Sequence, residues 1–213
     1  MKRFVVRVWI PDRPGALGAV ASRIGAVRGD LVGIDILERG GGRAIDELVV
    51  ELADGDLVPL LLAEMGQVDG VDVEEIHEVG EWSHDPRLDA LETASVLVSQ
   101  STGEGLLTAL VEHAARDFEA EWATAIDPAV PRALATVGNP PTESWLAAFV
   151  AGTRSSERMT AQECGPDDVA CALFDGAGLA LVLGRKGRPF RARERRQLAA
   201  LARIADARLA QLT

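Results

Sequence analysis

The segment that most constrains this chain is Ile10-Pro11-Asp12-Arg13-Pro14-Gly15-Ala16-Leu17, directly behind the alternating apolar run Phe4 to Ile10. A strand that breaks at Pro-Asp-Arg-Pro-Gly and re-emerges as a helix leaves backbone amides unpaired at the helix start. Free amides at that positive end form a seat for a small carboxylate. Asp12 stands at the lip of the seat, where it could cap the helix or hold a ligand's ammonium group. The pattern points to a binding module for amino-acid-like metabolites.

The surrounding periodicity predicts a small α+β unit. Residues 2–10 alternate as a strand, with Phe4, Val6 and Val8 on one face. Leu17, Val20, Ile24 and Val27 recur at helical spacing over residues 14–28, with Pro14 in the first turn, where its missing amide proton does no harm. Residues 31–38 and 44–52 read as strands joined by a turn at Gly40-Gly41-Gly42. A short helix over Leu57 to Met65 and a strand over Val71 to Val79 complete the order βαββαβ. That order implies an antiparallel four-stranded sheet with two helices on one face, a ferredoxin-like arrangement.

Three segments carry a more specific likeness: Asp12 to Leu17, Gly29-Asp30-Leu31-Val32-Gly33-Ile34-Asp35, and Asp46-Glu47-Leu48-Val49-Val50. On these the first domain, residues 1–80, resembles an ACT domain, a small regulatory module that binds amino acids and related effectors. The resemblance implies that a ligand carboxylate meets the amides of Gly15, Ala16 and Leu17. It implies that the ligand's amino group meets Asp12 or Asp30, with Arg13 and Pro14 completing the loop. It further implies a homodimer in which Val32, Gly33 and Ile34 of a partner's second strand close the pocket.

Residues 81–87, with Trp82, His84 and Asp85, form a connection to a second domain, 88–213. There, helices are expected over 86–100, with Leu88, Leu91, Ser95 and Val98 as a stripe, and over Leu106 to Phe118. Strands at 121–126 and 132–137, a helix at 143–152, and a hairpin of 169–174 with 179–184 follow. A long amphipathic helix from about Arg191 to Leu212 closes the chain. Gly187-Arg188-Pro189-Phe190 followed by Glu194-Arg195-Arg196-Gln197-Leu198 makes this half resemble a GAF domain, another small-molecule sensing fold, with a mixed sheet. It has neither an Asn-Lys-Phe-Asp signature nor a distinctive anchoring cysteine, so no GAF ligand class is implied.

Composition narrows the function. The net charge of −11 is spread over both halves: residues 1–80 carry 8 basic and 15 acidic side chains, and the remainder 14 and 18. Such a chain repels nucleic acid and anionic membrane on average, so neither is an expected partner. No apolar run approaches the roughly 20 residues that span a bilayer, and no secretion signal is read at the start. Cys164 and Cys171 form no metal pattern and read as reduced thiols of a cytoplasmic protein. Heavy Arg, Ala and Gly use with only two lysines suggests a bacterial source.

Several rival sites have plainer explanations. His77, His84 and Asp85 match no metal spacing, and Ser101 reads as a helix N-cap with Glu104 as its capping-box partner. Neither Ser101 nor Arg154-Ser155-Ser156 lies in a nucleophile elbow. The seven basic residues between Arg185 and Arg196 read first as a solvated surface, and Trp122, Trp145, Phe149 and Phe174 as core. The chain is thus expected to be a non-catalytic, cofactor-free, metal-free regulatory protein whose small-molecule effector is an amino acid. Two alternatives stay open: a ligand-free dimerisation and interaction module, and an enzyme using a cleft in the second domain.

Overall fold

In a computed structural model, which describes residues 1–80, 86–156 and 168–212, the opening run becomes strand β1, Lys2–Pro11. Helix α1 (Ala16–Ala26), strands β2 (Asp30–Gly40) and β3 (Arg43–Leu52), helix α2 (Val58–Met65) and strand β4 (Asp72–Val79) follow in the expected order. The sheet runs β2-β3-β1-β4, and every neighbouring pair is antiparallel. Phe4, Val6 and Val8 share a face with Leu48 and Val50, and both helices cover it with Val20, Ile24, Leu61 and Met65. On the other face, Arg3 and Arg7 stand directly opposite Glu51 and Glu47 and pair with them, the second at 2.9 Å.

The helix boundaries differ from the periodicity. α1 starts at Ala16 because Gly15 sits at φ +86°, a left-handed conformation that no helical residue can hold, so Pro14 lies in the turn before the helix. Its other end is closed by Arg28 at φ +59°, whose N–H donates to Gly25 O, while Gly29 N–H returns to Ile24 O. This pair of bonds is a Schellman cap. The β2–β3 turn puts Gly41 and Gly42 at φ +59° and +78°, the pair of positive values a two-residue hairpin requires.

The chain divides into two units, Met1–His84 and Asp85–Thr213. The second comprises α3 (Pro86–Ser99), α4 (Gly103–Asp117), β5 (Trp122–Asp127), β6 (Arg132–Val137), α5 (Glu143–Ser156), β7 (Val169–Leu173), β8 (Ala180–Gly184) and α6 (Ala192–Leu212). Its sheet runs β6-β5-β8-β7 with only antiparallel neighbours, so the mixed sheet expected from the GAF resemblance is absent from the described residues. β8 is buried at all five positions because both sides are covered. Leu181 and Leu183 pack with Leu106 and Leu110 of α4 and Leu198 and Leu201 of α6, while Ala180 and Val182 pack with Leu146 and Val150 of α5.

Three local expectations fail for physical reasons. Thr102, one residue later than Ser101, caps α4 by accepting the Gly105 N–H at 3.1 Å. Trp145 is 40% exposed and lies flat on Phe149 at 5.3 Å, so only Phe174 of the four aromatics is fully buried. The Leu88–Leu91–Ser95–Val98 stripe of α3 faces outward; the helix packs inward through Thr93 and Leu97. Among the described residues no helix is long and apolar enough to cross a membrane.

Leu110, fully buried at the centre of the second core, should be costly to truncate. Leu110→Ala is expected to lower unfolding free energy by about 2–5 kcal/mol in urea titrations.

Candidate functional site

The corner between β1 and α1 is open. β1 is paired on both sides, and its far end is held by the β2–β3 turn, where Asp12 N–H donates to Gly42 O at 2.9 Å. Arg43 spans the sheet end beneath it, bonding Gly70 O at 3.1 Å and Asp72 at 2.5 Å, with its guanidinium 5.2 Å from the Trp9 ring. From that anchored end the chain turns through Arg13, Pro14 and Gly15, all exposed, into Ala16, which is buried, and Leu17, which is half-buried.

At the helix start Ala16 N–H reaches Arg13 O at 3.3 Å and Ala19 N–H reaches Gly15 O at 2.9 Å. The N–H groups of Gly15, Leu17 and Gly18 find no acceptor among the described residues. Asp12 does not cap the helix: the N-cap residue is Gly15, which has no side chain to offer, so the Asp12 carboxylate is left to solvent. A Cβ at Gly15 or Gly18 would meet nothing within 4 Å.

Within one chain, the candidate residues are not all brought together. β1 and β2 both pair antiparallel to β3, so Gly40 shares the Arg43 end with Pro11 whereas Asp30 pairs Glu51 at the opposite end. Eight residue steps along β3 separate these ends, about 26 Å at roughly 3.3 Å each. Asp30 therefore cannot join Asp12 around one ligand in a single protomer. Val32 is the extra residue of a bulge, Gly33 approaches Val49 closely, and Ile34 pairs Leu48 in mid-strand. Val32, Ile34 and Ile36 leave exposed apolar side chains along this edge strand.

The structure adds a residue that sequence reasoning passed over. Asp46 pairs with Val8 and Ile36 on the helix-covered face, three residues from the Arg43 end, and is only 4% exposed. Its Oδ1 has no hydrogen-bond partner. Burial pushes its carboxyl pKa above the ordinary value; Arg39 at the end of β2 opposes the shift and Asp12 adds to it. Arg39 and Asp12 thus both act electrostatically on Asp46 at this end of the sheet. The signal was present: positions 44, 46, 48, 50 and 52 form the inward period of β3, and Asp46 is its single charged member.

Elsewhere, charge is spent on structure. Arg185 is buried, with its guanidinium bonded to Phe118 O, Arg188 O, Pro189 O and Glu194, and stacked 4.1 Å from the Phe190 ring. Glu194 also accepts the Arg191 N–H at 2.8 Å, and Arg188 pairs with Glu119. The basic run is thus in part an internal clamp, which corrects the expectation of a solvated surface. In the second unit an open groove of about 580 Å³ runs along α4, lined by Gln100, Thr102, Glu104, Glu112 and His113. Beside it Thr93 donates its hydroxyl proton to Asp117 at 2.5 Å, which joins α3 to α4.

His77 lies 3.4 Å from Glu75, and Cys171 is half-buried and forms no disulfide among the described residues. Trp82, His84, Asp85 and Cys164, together with the side chains of Arg154, Ser155 and Ser156, lie outside the described residues. Among the described residues no three His, Cys, Asp or Glu side chains are grouped to hold a metal ion.

No family model matches the chain, and no curated protein matches it. Among solved structures it is similar to the ACT domain of the GTP pyrophosphokinase of Chlorobium tepidum, at 15% identity and TM-score 0.30, over 37% of this chain and 100% of that one. It is similar to an unknown protein from Galdieria sulphuraria at 14% identity and TM-score 0.34, over 97% and 92%. It is also similar to a formyltetrahydrofolate deformylase from Pseudomonas putida KT2440 at 12% identity and TM-score 0.29, over 44% of this chain and 38% of that one. At such TM-scores these likenesses carry no weight for fold or function.

Two measurements test the electrostatics. At low pH Asp46 is protonated whether folded or not; as pH rises the unfolded chain ionises first, so the fold loses stability through that window. Asp46→Asn should therefore be more stable than the native chain in urea at about pH 7, with the difference fading below about pH 4. Arg185→Ala strands Glu194 among buried groups and should cost about 3–5 kcal/mol in the same assay.

Proposed function

We propose that the first unit is a non-catalytic regulatory domain that binds an amino acid or similar small carboxylate at the β1–α1 corner. The observation that carries this reading is the open seat of unfilled amides at Gly15, Leu17 and Gly18 beside the free carboxylate of Asp12. A carboxylate there completes the helix's missing hydrogen bonds and meets its positive end. An ammonium group on the same ligand is drawn to Asp12 and to the field of Asp46. The ACT resemblance of residues 1–80 supports the same ligand class, and it supports a homodimer in which β2 of a partner closes the pocket. That geometry would also answer the separation of Asp30 from the corner, since Asp30 and Ile34 would come from the other protomer.

The effect of such a ligand is linkage. Binding at a seam between protomers stabilises one arrangement of the second units, by no more than the ligand's difference in affinity between arrangements. The exposed apolar edge of β2 favours a second reading, a ligand-free interaction module, in which that edge alone has a role.

A thermal-shift panel of the twenty amino acids separates the two readings. A cognate ligand at about 100 times its Kd adds about 2.7 kcal/mol to stability. Asp12→Ala, which removes no cap and no core contact, should leave the unliganded melting temperature unchanged and weaken that ligand about tenfold or more. A panel without any shift supports the interaction module instead.

A further inference from the structure

Helix α3 carries large apolar side chains on two opposite faces, one buried in its own unit and the other exposed. Thr93 and Leu97 are fully buried, and Thr93 is tied to Asp117 of α4, so the helix is already folded and held. On the other face Leu88, Leu91 and Val98 are 52%, 69% and 53% exposed. Together with the exposed Ser95 they fall at spacings of three, four and three residues, the a-d-a-d register of a two-helix seam. A surface helix that only faces water has no reason to repeat leucines in that register.

We propose that this stripe is the seam of a parallel, in-register coiled coil with α3 of a second copy of this chain. Charge chooses the occupant and the direction. With Leu88 at a and Leu91 at d, Arg87 occupies g and Glu92 occupies e, five residues apart and both exposed. In a parallel pair each g residue faces the e residue five positions on in its partner, so Arg87 meets the partner's Glu92 twice by symmetry. In an antiparallel pair g faces g and e faces e, and that match is lost. Because α3 is ordered by its own core, the pairing does not have to pay for helix formation, which would make a two-heptad seam marginal in isolated peptides.

Cysteine cross-linking of the full chain reads this seam independently of any other dimer contact. In a Cys164→Ser, Cys171→Ser background, Leu91→Cys and Ser95→Cys should each give a covalent dimer under mild oxidation on non-reducing gels. Glu104→Cys, exposed on α4, should give little at the same protein concentration. Adding Arg87→Glu to Leu91→Cys should cut the dimer yield several-fold, and Arg87→Glu with Glu92→Arg should restore it. Yields for Leu91→Cys and Ser95→Cys no higher than for Glu104→Cys would overturn the seam, whatever mass the native protein shows in sedimentation. Cross-linking that survives Arg87→Glu undiminished, or is not restored by the exchange, would overturn the parallel arrangement.

Discussion

The candidate site in the first unit depends on the central position of β1. Hydrogen bonded to β3 on one side and β4 on the other, it has no lateral freedom, so its end is delivered to a fixed point. Pro11 ends the ladder there, and Asp12 is pinned to the β2–β3 turn through Gly42. The chain must then reverse over the sheet within three residues, and Gly15 at φ +86° makes the reversal. That conformation denies the helix a side-chain cap and so leaves the amides and the Asp12 carboxylate open together. A capping serine or aspartate at position 15 would satisfy the amides and would be strained in doing so.

Two buried charged groups, one in each unit, are handled differently. In the second, Arg185 is desolvated but spreads four of its donors over three carbonyls and Glu194. In the first, Asp46 is desolvated without a partner for Oδ1, and its carboxyl responds by holding its proton more tightly. A buried group left incomplete in this way is a strain on the fold, and it lies at the end of the sheet where the proposed ligand binds. Arg185 and Glu194 complete each other; Asp46 Oδ1 has no such complement.

The second unit shows why apolar periodicity identifies helices better than it identifies their buried sides. In α6 the apolar residues keep to one face, and Leu198 and Leu201 are buried as their spacing implies. In α3 two apolar faces compete, and the more regular one, through Leu88 and Leu91, turned outward. Inward orientation was decided by Thr93, whose hydroxyl finds Asp117, and by Leu97, which fits the common core. Similarly, β8 carries no alternation that reveals a face, because α4 and α6 cover one side and α5 the other.

The βαββαβ order, the antiparallel hairpins and the strand-to-helix corner were legible in the amino-acid sequence, since alternation, helical spacing, prolines and paired glycines act over a few residues. The exact start of α1, the capping of α4 by Thr102, and the outward turn of α3 were not, because each depends on a φ angle or a neighbour set by packing. The same holds for the candidate site. The corner and its exposed Asp12 are local and could be read directly, whereas the Ala16 amide, expected to be open, is taken up by Arg13 O, and Asp12 does not cap the helix. The distance of Asp30 from the corner and the burial of Asp46 follow from strand order and register. By itself the sequence determined which segments are strands and helices; tertiary structure alone decided which ends of them meet, because β3 lies between β1 and β2 and holds their far ends apart.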